Sequence, residues 1–124
     1  NEDWSHDKNF EVFGDDIKNH GHNYILRVTV KGNIDPKSGF LVDLQWLNIL
    51  VKENIIKILD HSQIDQDIEW FEKRSPSTEN LVVYIWNILE PHFKDKEFFL
   101  HKVFLRETPT IYTEYYGPRV EEVL

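Results

Sequence analysis

The stretch His20-Gly21-His22-Asn23-Tyr24-Ile25-Leu26-Arg27-Val28-Thr29-Val30-Lys31-Gly32 (HGHNYILRVTVKG) decides how the chain folds. From Asn23 onward apolar and polar residues alternate, with Tyr24, Leu26, Val28 and Val30 on one side. A period of two is that of a strand with one face buried. The two histidines sit just ahead of it, and in extended backbone residues two apart point the same way. Two imidazoles held on one face are suited to a single zinc ion. A pair of solvent-facing strand histidines satisfies the same pattern. A catalytic zinc also takes a third protein ligand, and His6, His61, His92 and His101 are the other histidines available.

Outward from that strand, Gly32 to Gly39 (GNIDPKSG) gathers turn residues and predicts a loop. Asp43 then caps a helix running to about Asp60, with Leu44, Leu47, Val51, Ile55, Ile58 and Leu59 as its apolar stripe. Asp60 to Pro76 is a polar connection. A second helix starts at Ser77-Thr78-Glu79, where a hydroxyl can cap free amides and Glu79 suits the positive end of the dipole. Leu81, Val82, Ile85, Trp86 and Leu89 form its buried side, and the pattern fades near Pro91-His92. Phe98–Arg106 and Thr110–Tyr116 read as two strands joined by a turn at Thr108-Pro109. Gly117 to Leu124 reads as a tail. The order strand, helix, helix, strand, strand predicts an α+β domain, an antiparallel sheet with two helices on one face. Three aromatic-rich strands leave open edges, so a further strand or a neighbouring subunit is expected to cover them.

Composition narrows the function. In 124 residues, suited to one domain over 1–124, Lys and Arg number 14 against 22 Asp and Glu, a formal charge of −8. That balance argues against a general nucleic-acid binder. There is no Cys and no Met, which excludes a disulfide scaffold, a zinc ribbon or a thiol enzyme and sits with a cytoplasmic protein. No apolar run reaches the roughly 18 residues of a membrane span. Asp60-His61 pairs a carboxylate with an imidazole at a helix end, an arrangement that favours imidazolium and would tune a proton donor, although the residues alone favour a solvated helix stop. Glu107, after a strand and before a turn, is either a surface carboxylate or an acceptor for an amidine-like ligand edge. Trp4, Trp46, Trp70 and Trp86 are of the kind that stack flat ligands, but most of the aromatic side chains are better explained as core or subunit interface.

Taken together, HGHNY at 20–24, KGNIDPKSGFLVDL at 31–44, LDH at 59–61, STEN at 77–80, YIW at 84–86 and RET at 106–108 resemble the 6-pyruvoyl-tetrahydropterin synthases and their bacterial counterparts, the 6-carboxy-tetrahydropterin synthases, over positions 5 to 116. The resemblance implies the tunnelling fold, in which sheets of several subunits join into a barrel as a homo-trimer or homo-hexamer. It implies a zinc ion held by three histidines, two of them matching His20 and His22, and a pterin triphosphate substrate, 7,8-dihydroneopterin triphosphate. The expected chemistry is a carbon–oxygen lyase reaction, either triphosphate elimination or formation of a 6-carboxy pterin. Asp60 and His61 would be the proton-transfer pair, Glu107 the anchor for the pterin's amino-pyrimidine edge, and Ser77 and Thr78 the hydroxyl residues lining that pocket. The family's catalytic cysteine follows a Phe-Gly pair. Here Phe13-Gly14 leads instead to Asp16, a possible substitute base four residues before His20. A homologue that cleaves the pterin side chain, or a pterin-binding protein without turnover, are the alternatives. The family's first strand, with the first zinc histidine, lies upstream of the stretch matching Ser5 to Gly14. It is expected to be absent from this chain, and His6 is not expected to replace its histidine.

Overall fold

The computed structural model describes residues 7–13, 17–19, 22–33, 44–60 and 67–118, with side chains for 23–32, 44–60 and 67–118. Among the described residues five strands make the sheet: β1 (Asp7–Phe13), β2 (Ile17–Asn19), β3 (His22–Asn33), β4 (Phe98–Thr108) and β5 (Ile111–Tyr115). Their order is β1-β3-β4-β5, with β2 also on β3, and every pairing is antiparallel. β3 is central, and its buried residues Tyr24, Leu26, Val28 and Val30 confirm the period-two pattern. It runs one residue further at each end than the pattern indicated, from His22 to Asn33. The rest of the expected 32–39 loop and Asp43 lie outside the described residues.

Two strands that the sequence pattern did not mark precede β3. Asp7–Phe13 pairs along β3 from Asp7↔Asn33 to Phe13↔Arg27. Ile17–Asn19 pairs at its start. Short, polar-interrupted stretches such as DKNFEVF carry little periodicity of their own, and pairing to a long apolar strand defines them.

The first helix occupies 44–59: an α segment Leu44–Val51, a π turn Lys52–Ile56 and a last α turn Lys57–Leu59. Leu47, Val51, Ile55 and Leu59, all buried, recur at steps of four. In a pure α-helix each such step oversteps a turn by about 40°. The wider π turn, with its i→i+5 bonds, takes up that drift and keeps the stripe facing the sheet. It also changes which residues are inside. Leu44 and Ile58, expected on the buried stripe, are 46% and 43% exposed, while Leu50 and Ile56 are buried.

The second helix, Thr78–Leu89, buries Leu81, Val82, Ile85, Trp86 and Leu89 as its spacing predicts, and ends in a 3₁₀ turn, Glu90–Phe93, around Pro91. Both helices share one hydrophobic cluster with the inward residues of β3 and with Leu100, Val103 and Leu105 of β4. The polar connection between the helices supplies core residues too, Ile68 and Phe71, through a 3₁₀ turn Glu69–Phe71. Trp46 packs on Phe93 and Phe98, Trp70 on Phe71 and Tyr84, and Trp86 on Tyr115. Trp86 belongs to the hydrophobic cluster and Trp46 and Trp70 pack against it; Trp4 lies outside the described residues. After β5 the chain turns at Gly117, whose φ of +95° suits glycine, and a Cβ there would come within 2.5 Å of the Trp86 ring. Among the described residues no helix is long and apolar enough to cross a membrane.

Candidate functional site

Antiparallel pairing brings one end of each main element to one end of the sheet. Asn19 pairs with His22, and Ile17 with Tyr24, where β3 begins. Ile25 pairs with Arg106 near the end of β4, and Arg106 with Tyr112 near the start of β5. The last turn of the first helix, Lys57–Leu59, lies against β2. The second helix begins beside β5, where Thr78 meets Thr113. The start of β3, the ends of β4 and of the first helix, and the starts of β5 and of the second helix therefore share one region.

Most of the residues singled out by the sequence belong to these ends. Asp60 directly follows the first helix, with an extended backbone (φ −66°, ψ 127°), and its amide still donates to Ile56 O at 2.8 Å. Glu107 lies inside β4, at an irregularity of pairing between Arg106 and Thr108, and not beyond the strand as expected. It is half-buried, and its negative charge reaches Tyr24, which is one rung past the Ile25–Arg106 pair. Burial first, and Glu107 second, push the Tyr24 phenol above its usual range, so it is a neutral hydroxyl at physiological pH.

Ser77 and Thr78 divide their work. Ser77 Oγ accepts from Asn80 N at 3.2 Å and is the N-cap of the second helix. Thr78, 6% exposed, has its Oγ1 2.8 Å from Thr113 Oγ1 and donates to Glu79 Oε1 at 3.3 Å. Tyr24 and Thr113 are two members of this region to which the motifs assigned no role. Tyr24 reads from the sequence only as a core strand residue, and nothing local links Thr113 to a residue 35 positions earlier.

Asp16, His20 and His61 lie outside the described residues, and only the backbone of His22 is described, as the first residue of β3. The expectation that His20 and His22 share one strand face rests on groups outside the described residues; the backbone of His22 opens β3 opposite Asn19 of β2. The donor types suit zinc, since histidine is among the residues that bind it. Among the described residues no group of three His, Asp or Glu side chains could hold a metal ion. A separate cleft lined by Trp86, Asn87, Glu90, Pro91 and Pro118 lies at the far end of the second helix, away from these groups.

Known proteins share the sequence pattern and the fold. The sequence profile of the family described as 6-pyruvoyl tetrahydropterin synthase matches residues 3–118. The 6-pyruvoyl tetrahydrobiopterin synthase of Drosophila melanogaster is 39% identical over 113 residues, covering 90% of this chain and 67% of that protein. The human protein of the same name is 40% identical over 88 residues, covering 69% of this chain and 61% of its own length. The 6-carboxy-5,6,7,8-tetrahydropterin synthase of Rickettsia typhi is 27% identical over 111 residues, covering 77% of this chain and 80% of that protein. The solved 6-pyruvoyl tetrahydropterin synthase of Caenorhabditis elegans superposes with a TM-score of 0.80 at 25% identity, over 90% of this chain and 96% of that one. With its antiparallel sheet, two helices and motifs in that family's order, the chain belongs to the 6-pyruvoyl tetrahydropterin synthase family.

Proposed function

We propose that the protein is a zinc-dependent lyase acting on 7,8-dihydroneopterin triphosphate, eliminating triphosphate or forming a 6-carboxy pterin. The observation that carries this is the convergence of Glu107, Tyr24, Thr78 and the His22 end of β3 on one end of the sheet, in a chain whose relatives are named as such synthases. Glu107 would accept from the N–H and amino group of the pterin's pyrimidine edge, as a carboxylate accepts from a guanidinium. Thr78 would contribute a hydroxyl oxygen beside it. Tyr24, buried and neutral, fills the β3 side of the pocket and limits water around the carboxylate. His20 and His22 would hold the zinc ion, which supplies Lewis-acid polarisation of a side-chain oxygen. His61, oriented by Asp60, would move a proton at the side-chain carbon or its hydroxyl.

Asp16 would stand in for the family's thiol base. Its reference pKa near 3.9 makes it a weaker base than a thiolate. The absence of any cysteine favours a second reading, in which the same pocket binds the pterin but shortens its side chain or leaves it unchanged. Zinc-loaded protein incubated with 7,8-dihydroneopterin triphosphate decides between them: the lyase releases inorganic triphosphate, and product mass separates 6-pyruvoyl, 6-carboxy and shortened pterins. Tight pterin binding with no release would end the lyase reading. His20→Ala and His22→Ala are each expected to lose bound zinc, and His61→Ala to keep zinc and lose turnover.

A further inference from the structure

We infer that Thr113 is a positioning residue for the pocket, fixing the Thr78 hydroxyl so that it presents an acceptor to the ligand; this rests on the reading of Thr78 as a pterin contact. Thr113 stands on β5, half-buried, with Leu105 of β4 as its pairing partner two residues before Glu107. Its Oγ1 is 2.8 Å from Thr78 Oγ1, which is also 3.3 Å from Glu79 Oε1. Thr78 has a single hydroxyl proton. An ionised carboxylate can only accept, so that proton goes to Glu79. Thr113 must then be the donor in the short bond, and the chain of bonds runs from Thr113 to Thr78 to Glu79. One lone pair remains on Thr78 Oγ1. Glu107 too is acceptor-only when ionised. A pocket edge built from acceptors selects ligands that bring N–H groups to it.

The bond also crosses from β5 to the first turn of the second helix, so it sets where Thr78 stands as well as how its proton points. β-branched threonine is stiff at χ1, which makes the orientation one of few available. Without Thr113 the Thr78 hydroxyl keeps only the longer bond to an exposed glutamate and can turn its proton toward the ligand.

The test is neopterin binding to zinc-loaded protein, followed by pterin fluorescence, for wild type, Thr113→Val, Thr113→Ser, Thr78→Ala and the Thr78→Ala/Thr113→Val double variant. Thr113→Val, nearly isosteric, is expected to weaken binding about three- to tenfold, the usual effect of one neutral hydrogen bond. Thr113→Ser restores it. In the Thr78→Ala background, Thr113→Val has no further effect, because the two act as one unit. A purely structural cross-link would lower the melting temperature of Thr113→Val while leaving its neopterin affinity at the wild-type value, and that result would overturn the inference. Additive losses in the double variant would overturn it as well. Failure of the wild-type protein to bind neopterin removes the pterin pocket itself, and with it the role of Thr113; wild-type binding with an unaffected Thr113→Val removes only the latter.

Discussion

Under the proposed function, Glu107 is the residue on which ligand recognition would turn. It sits where β4 breaks register against β5, and an irregularity of that kind re-aims a side chain that regular pairing would hold in line. Glu107→Gln keeps the size and removes the charge, replacing one acceptor oxygen by a donor that faces the ligand's own donors. Hydrogen bonds to charged groups contribute about 1.5–3 kcal/mol, so neopterin affinity should fall about 10- to 100-fold, read by fluorescence titration. An unchanged affinity would remove Glu107 from the pocket. A second residue-scale expectation concerns His101. Partial burial, then the charges of Lys31 and Lys102, hold its imidazole below the usual 6.5, and the rings of Phe99 and Tyr116 stand beside it. In the unfolded chain a histidine takes up its proton as the pH drops through about 6.5, whereas the folded His101 resists. The unfolded state then binds more protons, so this group's contribution to stability is full above 6.5 and is lost on acidification through the folded pKa. Urea midpoints at pH 7.5 and 5.5 should show a smaller acid-induced drop in His101→Gln than in wild type.

At the scale of elements, Ser77 acts through the helix it starts. Replacing the N-cap by alanine leaves the Asn80 amide without its partner, and Ser77→Ala should lower stability by about 1 kcal/mol in denaturant titrations while Ser77→Asn, itself a good cap, stays near wild type. A pterin contact made by Ser77 as well would appear as weakened neopterin binding in both variants, which separates capping from recognition. This helix start was legible because capping chemistry is local: Ser77, Glu79 and the apolar stripe lie within one reach of sequence. β3, β4 and β5 were legible for the same reason, each having enough alternating residues to declare a face. β1 and β2 were not, since their pairing to β3 joins residues such as Asp7 and Asn33 that carry no mutual signal. The π turn was visible only as a run of steps of four, and its consequence, Ile58 outside and Ile56 inside, follows from backbone geometry that composition does not encode. In the site, the motifs marked Glu107, Asp60, Ser77 and Thr78. Tyr24, whose phenol feels the Glu107 charge, and Thr113, bonded to Thr78, come from other strands, and their proximity emerges only once the sheet register is known.

For the whole molecule the open question is what borders β5. It is the last strand of the sheet among the described residues, and Ile111, Tyr112 and Tyr116, at or just past it, are 50%, 54% and 57% exposed. An unpaired strand edge beside large apolar side chains invites another strand, and soluble proteins ordinarily blunt such an edge with lysine, proline or a covering loop. A formal charge of −8 on every copy opposes association, so any assembly must draw on edge hydrogen bonds and aromatic burial rather than on charge. Edge-to-edge pairing of β5 with the sheet of a second copy would extend the sheet toward a closed ring, as the homo-trimer or homo-hexamer expected from the sequence requires. It would also hold β5 in place, and with it Thr113 beneath the helix start. Sedimentation equilibrium should therefore give a mass of three or six chains. Ile111→Lys/Tyr112→Lys, which places two charges at this edge, should shift the population to single chains with the circular dichroism of the folded protein and reduced neopterin affinity. A wild-type protein that sediments as a single chain at micromolar concentration would exclude the ring, and a doubly substituted protein that still sediments as three or six chains would move the contact away from β5.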